Sequence, residues 1–444
     1  MNTANSILLS PADNVAVANG RIEIGAVLPG GAVATALIEP GHKVAIKPIA
    51  VGEAVVKYAQ AIGRATEAIA PGEHVHSHNL VFESGRLPVV PPSEAVHATE
   101  ADRARTFMGY RRADGRAGTR NFVGILASVN CSATVCHAIA DEANRTLLPR
   151  YPGIDGFVPI VHGQGCGMSA TGEGMMVLHR TLAGYARHPN FGGVLMVGLG
   201  CEVNQLTLYG QKGVAAGKRH FNIQEAGGSR KSVEKALVVL AEISEEVGKL
   251  EREPIPVSEI VVGLQCGGSD GMSGITANPA LGAAVDILAG VGGIGILSET
   301  TEIYGAEHLL AGQTPLNGVF GYAEKVSGHG LVFMDTPGYD PVSATGQVAG
   351  GANVIVFTTG RGSCFGCRPT PSIKVASNST MYHTMEEDMD VNCGVIASGE
   401  KTIAGMGREI FELIVETASG RKTKSEEFGY GDNEFVPWHL GATL

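Results

Sequence analysis

The chain has 444 residues, too many for one simple core, and its 62 glycines with only 5% aromatics describe two or three turn-rich domains. A net charge of −11 without any Lys/Arg-rich block excludes a nucleic-acid surface. No apolar stretch is long enough to span a bilayer, and the polar start Met1-Asn-Thr-Ala-Asn5 lacks the order of a signal peptide, so the expectation is a cytoplasmic protein without a membrane partner.

Residues 1–85 predict a small β-rich domain, with strands near 14–18 and 43–47 between Gly and Pro turns. A faint repeat supports it. Ile49-Ala-Val-Gly-Glu-Ala-Val-Val56 returns as Ile69-Ala-Pro-Gly-Glu-His-Val-His76, in each case a turn feeding a strand. Residues 86–107, Pro-rich and then charged, read as a linker.

From 108 to 253 a strand, a cysteine turn and a helix follow one another three times. Cys131 follows the apolar run beginning at Phe122, Cys166 that beginning at Phe157, and Cys201 that beginning at Val194. The helices are expected at 133–144, 174–187 and 229–249. A second α/β region, 254–444, begins after Glu253-Pro-Ile-Pro256. Its strands are expected at 259–265, 293–298, 330–334 and 353–358, with a closing helix near 402–418 and a polar tail wrapping a surface. Cys266 again follows an apolar run. Short runs of this kind read as parallel strands covered on both faces, whose carboxyl ends line up where ligands bind. Four thiols are therefore expected to face one crevice.

Eight cysteines are too few for a disulfide scaffold, and read as free thiols, metal ligands or buried small side chains. His74, His76 and His78 alternate on one strand face, where neighbours can grip a metal; an exposed polar strand end is the plainer alternative. His162, on the glycine turn before Cys166, reads as metal ligand or general base, since the strand before it offers its ring no partner. The loop Gln265-Cys-Gly-Gly-Ser-Asp-Gly-Met-Ser273 lacks the Lys of a nucleotide loop and suits a carboxylate-bearing, hydroxylated ligand, with Ser269, Asp270 and Ser273 as contacts. Glu299 and Glu302 at a strand end could hold a hard metal or work as acid and base. Arg361, on a glycine turn, is placed to grip a carboxylate. Cys364-Phe-Gly-Cys367, with Cys393 later, is a weak metal-knuckle signal that keeps an iron–sulfur cluster or a thiol redox pair in view.

These segments together resemble the altronate and galactarate dehydratases, with which some sulfo-lyases share both parts. The resemblance is carried by His74-Val-His-Ser-His-Asn79, Gly109-Tyr-Arg-Arg112, Gly118-Thr-Arg-Asn121, residues 162–166, Gly198-Leu-Gly-Cys-Glu202, Gln265-Cys-Gly-Gly-Ser-Asp270, Ser273-Gly-Ile-Thr-Ala-Asn-Pro279 and Thr359-Gly-Arg-Gly362. It implies an N-terminal SAF-type β domain fused to an α/β catalytic portion using ferrous or manganous ion. It also implies roles for Tyr110, Arg111, Cys131, His162, Cys166, Cys201, Cys266, Ser269, Asp270, Asn278, Glu299, Glu302, Asp340, Arg361 and Lys374. Two departures stand out. The long members carry an extra segment after the region matching Leu309-Leu310, and Cys364 and Cys367 replace the expected Pro and Gly; both favour a smaller or differently substituted acid.

The expected function is a homo-oligomeric, metal-dependent hydro-lyase converting a 2,3-dihydroxy sugar acid into a 2-keto-3-deoxy acid. His162 is the expected base, Glu299, Glu302 and Lys374 are the further candidates, and Arg361 is the carboxylate anchor. The expected metal ligands come from the three histidines and the four strand-end cysteines. The alternatives are a sulfo-lyase releasing sulfite from sulfolactate, and a non-catalytic sugar-acid binding protein.

Overall fold

The structure is a computed structural model describing residues 5–82, 96–211, 219–307, 310 and 315–441. Most of the proline-rich part of the expected linker lies outside the described residues.

Residues 5–82 form the expected small β domain, with short antiparallel strands in two sheets, a four-stranded one (Ser6–Ile7, Val15–Ala18, Lys43–Ala45, His74–Val75) and a three-stranded one (Ala54–Lys57, Gln60–Ala65, Leu80–Val81). The sequence repeat has a structural counterpart. In both copies a glutamate accepts the backbone N–H three residues earlier, Glu53 from Ala50 and Glu73 from Ala70, each at 2.8 Å. The glycines between, Gly52 and Gly72, sit at φ 76° and 91°, where an L side chain is strained. Ile49 and Ile69 exchange backbone hydrogen bonds, and Val55 and Val75 share one small core.

The described residues from 96 onward contain two parallel sheets. The first contains β1 (Phe122–Ala127), β2 (Gly156–Ile160), β3 (Phe191–Gly198) and β4 (His220–Asn222) in the order β2-β1-β3-β4. Alternation along β1 sends Val123 and Ile125 to one face and Leu126 to the other. Helices α1 (Ala133–Thr146) and α3 (Ser229–Val247) cover the first face, and α2 (Glu173–Ala186) covers the second.

The second sheet contains β5 (Val261–Cys266), β6 (Ile294–Leu297), β7 (Leu316–Phe320), β8 (Gly330–Met334), β9 (Val354–Thr359), β10 (Ser372–Ala376) and β11 (Val391–Asn392). Its order is β7-β8-β6-β5-β9-β10-β11, all parallel. Helices α4 (Ala277–Gly290) and α6 (Ile403–Ala418) cover one face. On the other, α5 (Asp340–Gly350) packs against α2, so one helical layer serves both sheets. The approach is close: a Cβ on Gly184 would fall 2.4 Å from the Ala349 carbonyl.

In each sheet the chain builds to one side of its first strand and then crosses to the other. The reversal lies between β1 and β3 in the first sheet and between β5 and β9 in the second. Crevices at the carboxyl ends of such strand pairs are where open parallel sheets bind ligands. Among the described residues, no helix is long and apolar enough to cross a membrane.

Candidate active site

At the β5/β9 reversal the turn after Cys266 carries Gly267 and Gly268. Gly268 accepts hydrogen bonds from the Gly360 and Arg361 backbone N–H groups, at 3.1 and 3.0 Å, which pins the β9 loop against it. Gly267 has to be glycine here, because a Cβ would lie 2.4 Å from Asp340 Oδ2 and 2.5 Å from Phe357. Cys266 Sγ lies 3.0 Å from Ser269 Oγ and 3.7 Å from Asn278 Nδ2, while Thr358 donates to Asn278 Oδ1 at 2.7 Å. The Arg361 guanidinium is exposed and has no acidic partner among the described residues. It is available to an anion.

Across Gly267 lies an acidic group. Glu299 occupies the left-handed region at φ 67°, unusual for a side-chain-bearing residue, held there by its N–H donating to Thr336 Oγ1 at 2.9 Å. It is 6% exposed, and its Oε1 is buried with no hydrogen-bond partner among the described residues. Burial, then the nearby Glu302 and Asp340 charges, push its carboxyl up to about 8 from an ordinary 4.5. Glu302 and Asp340 are also raised, each mainly by burial. Neighbouring carboxyls of unequal burial, Glu299 buried and Glu302 exposed, are one means by which a site can run both acid and base chemistry.

Asp270 serves the loop rather than the opening. Its Oδ1 accepts from the Met272 and Ser273 backbone N–H groups and from the Ser273 and Ser377 hydroxyls, and its Oδ2 accepts from Asn378. The structure thus brings Cys266, Ser269, Asn278, Glu299, Glu302, Asp340 and Arg361 to one edge, with Asp270 and the buried Ser273 shaping their support.

The N-terminal β domain grips this edge. Gly41 and Gly271 meet backbone to backbone: a Cβ on Gly271 would lie 2.6 Å from Gly41 Cα. Val17 packs with Met272 and Ile275, and a Cβ on Gly305, in the loop after β6, would meet Phe82 at 2.8 Å. Immediately after Gly41 comes His42, which the sequence reading missed. Its Nδ1 lies 2.9 Å from His74 Nε2, and its ring stacks on His74 and His76 at 5.1 and 5.0 Å; His78 stands 5.4 Å from His74. Only the pairing of Lys43–Ala45 with His74–Val75 brings His42 to the triplet, and no local pattern reveals it.

At the first sheet's edge, Cys131, Cys166 and Cys201 are exposed free thiols on the turns after β1, β2 and β3. The expectation that one crevice gathers four thiols is therefore corrected, because Cys266 belongs to the other sheet. His162 is corrected too. Its ring is buried, with Nε2 3.0 Å from the Ala127 carbonyl and Nδ1 accepting from the Gln164 N–H at 3.2 Å. Burial lowers its pKa to about 4. His188 repeats the arrangement with Ala352 and Asn190, so this is a structural device used twice. The Ala127 partner comes from the neighbouring strand, which the sequence reading could not see.

Three family descriptions match the chain: the altronate/galactarate dehydratase SAF domain over residues 4–83, the D-galactarate dehydratase/altronate hydrolase second domain over 109–248, and the D-galactarate/altronate dehydratase C-terminal region over 257–313 and 311–443. Galactarate dehydratase (L-threo-forming) of Escherichia coli (strain K12) is 34% identical, covering 96% of this chain and 95% of its own length. The chain belongs to the altronate/galactarate dehydratase family. Altronate dehydratase of Bacillus subtilis (strain 168) is 30% identical over 97% of the chain and 98% of its own length. The (2R)-sulfolactate sulfo-lyase subunit beta of Chromohalobacter salexigens is 27% identical over 75% of the chain and 97% of its own length.

Against what membership implies, Tyr110 and Arg111 lie at the opposite edge of the sheets. Arg111 donates to both oxygens of Glu259, at 2.5 and 2.9 Å, just before β5 begins, and Tyr110 is buried beneath Arg112 and Arg252. Arg112 and Arg120 tie backbone carbonyls and Glu426 into the same knot, so this family segment joins the two catalytic units. Lys374 is fully buried in β10. Its Nζ donates to the Ser363 carbonyl at 3.0 Å, stands 3.7 Å from Asp388, and has its pKa lowered by burial. Cys367 is buried with its thiol pushed up to about 12, which does not suit a redox partner for the exposed Cys364.

Proposed function

We propose that the chain is a hydro-lyase that removes water from a small 2,3-dihydroxy acid at the carboxyl edge of the second sheet. One observation carries this reading: Glu299, with a carboxyl pushed up to about 8 and a buried oxygen that has no hydrogen-bond partner among the described residues, feels the charge of Asp340, and Asp340 borders the glycine turn to which the Arg361 loop is pinned. Arg361 anchors the substrate carboxylate by two parallel hydrogen bonds. Glu302, the more exposed of the pair, takes the proton at C2. Glu299, protonated at neutral pH, donates to the departing 3-hydroxyl. The resulting enol tautomerises to the 2-keto-3-deoxy acid. The SAF domain closes one side of the edge and limits water.

The ferrous or manganous ion that membership implies needs three donors turned to one point. Among the described residues, no three His, Cys, Asp or Glu side chains are so arranged, so no step is assigned to such an ion. A screen of sugar acids alongside sulfolactate tests the reading. Release of a 2-keto-3-deoxy acid supports it. Sulfite with pyruvate from sulfolactate would replace it with the sulfo-lyase reading, in which the leaving group needs no acid and Glu299→Gln retains turnover.

A further inference from the structure

We propose that a cavity at the amino edge of the second sheet, where that sheet meets the first catalytic unit, binds a small phosphate-bearing anion. The cavity lies at the opposite end of the strands from Glu299 and Arg361, so the proposal goes beyond the hydro-lyase reading and does not rest on it.

The cavity has a volume of about 630 Å³, within the range of small-ligand sites. Val261 and Ile294, the first residues of β5 and β6, form part of its wall and set it at the amino ends of these strands. Both catalytic units contribute to it. Arg116, Arg180 and Arg187 come from the first, and Lys325 comes from the loop between β7 and β8 of the second. These walls are held to one another. The Val326 N–H donates to the Gly350 carbonyl at 2.9 Å, which fixes the Lys325 loop to the end of α5. His188 Nε2 lies 2.9 Å from the Ala352 carbonyl, which ties the residue after Arg187 to the other unit. Arg116 donates to the Arg187 carbonyl, so these two residues are direct neighbours.

The charges in the cavity do not balance. Its carboxylates are Asp114, Glu259 and Glu324, and each is already engaged. Asp114 accepts from Arg116 Nε at 2.8 Å, and Glu259 accepts from Arg111 with both oxygens. Glu324 accepts from the Gly321 N–H at 2.8 Å and stands 3.5 Å from Arg180. Arg187 and Lys325 have no acidic partner among the described residues. Partial burial and then the Arg116 charge hold the Arg187 guanidinium below its ordinary pKa, as expected of a cation beside a like charge. A second observation points the same way. Arg180 Nε is buried with no hydrogen-bond partner among the described residues, and a buried donor left so is costly until an acceptor arrives. The carboxyl end of α2 accounts for one cation alone, since Arg116 serves the Arg187 carbonyl there. Guanidinium groups pair with phosphate oxygens by parallel hydrogen bonds, and cations on separate walls suit a tetrahedral dianion. Val261, Ile294 and Val326 supply an apolar wall for the carbon body of a phosphate ester.

The test is calorimetric titration of the full chain at fixed ionic strength with inorganic phosphate, with glycerol phosphate and, as a control, with chloride. Saturable binding of a phosphate at a single site per chain is expected, and none of chloride. Tighter binding of glycerol phosphate identifies the natural ligand as an ester, and tighter binding of inorganic phosphate identifies it as the free anion. Arg187→Gln and Arg180→Gln should each weaken binding by roughly tenfold to a hundredfold. Arg187 makes no side-chain bond among the described residues, so its variant should keep the wild-type circular dichroism. Arg219→Gln, which removes an arginine outside this cavity, should bind as the wild type does. Absence of saturable phosphate binding, binding undiminished in Arg187→Gln, or equal weakening in Arg219→Gln overturns the proposal. Binding lost in Arg361→Lys but kept in Arg187→Gln would place the phosphate at the active edge and also overturns it. A chain that binds phosphate through Arg187 yet turns over no hydroxy acid supports the site and counts against the hydro-lyase reading alone.

Discussion

Replacing Glu299 by Gln should remove activity and at the same time remove a pH-dependent instability. The native carboxyl titrates at about 8, whereas in the unfolded chain it titrates near 4.5. Between those values the native state holds a proton that the unfolded chain has released. The unfolded state therefore gains with rising pH, and wild-type stability falls through that window and levels off above it. Each pH unit is worth about 1.4 kcal/mol for a fully buried group, which sets a ceiling of about 2.5 kcal/mol between pH 6 and pH 8.5. Screening by solvent at the rim, where Glu302 is exposed, leaves about 1–1.5 kcal/mol. Gln is nearly isosteric and cannot ionise, so the variant should lose this slope. The chain's one tryptophan, Trp438, rests on Tyr322 at 5.4 Å beside the layer shared by the two sheets, so its fluorescence follows unfolding of the catalytic portion in urea. We expect the wild-type midpoint to fall by roughly 0.3–0.5 M more than that of Glu299→Gln from pH 6 to pH 8.5. Turnover should drop by roughly 10²–10⁴ in the variant. Equal pH slopes in the two proteins would refute the reasoning, because Glu299 would then be ionised and paired in the native state.

Wild-type kcat/KM should decline above about pH 8 as Glu299 loses its proton; a profile flat to pH 10 would remove it as the acid. Arg361→Lys keeps the charge but loses the two-pronged grip, so KM should rise by roughly tenfold to a hundredfold, read from initial rates with kcat less affected. His162→Gln removes two buried hydrogen bonds and should cost about 1–3 kcal/mol in urea unfolding, while exchange of the C2 proton with deuterium persists; loss of exchange in a normally stable variant would return His162 to the role of base. Gly271→Ala places a methyl 2.6 Å from Gly41 Cα and should separate the SAF domain from the edge, seen as lost activity with both parts still folded by circular dichroism.

Much of the architecture is legible in local pattern. The apolar runs before the cysteines become β1, β2, β3 and β5, and the helices expected at 133–144, 174–187 and 229–249 appear as Ala133–Thr146, Glu173–Ala186 and Ser229–Val247. This works because strands buried on both faces and amphipathic helices must show their period in the sequence. β4, β7, β10 and β11 are not among the expected strands, and β4 is only three residues long. β7 is only half covered and β11 is two residues long, while β10 carries Ser372 and Lys374 and breaks the apolar pattern. Lys374 is tolerated there because the Ser363 carbonyl and Asp388 answer its charge from elsewhere in the chain.

For the site, residue types at strand ends named Glu299, Glu302, Arg361 and the cysteines, because the carboxyl edge of a parallel sheet is fixed by strand direction alone. Tertiary structure decided the rest. Strand order put Cys266 on a different sheet from Cys131, Cys166 and Cys201, and cross-strand pairing joined His42 to the histidine triplet. His162 found its partner in the Ala127 carbonyl one strand away, and Arg111 found Glu259 at the far edge of the sheets, across a separation of 148 residues. Periodicity records which way a side chain faces and how its own turn is built. Which groups from distant segments will satisfy or leave bare a buried charge depends on packing, and no local pattern carries that information.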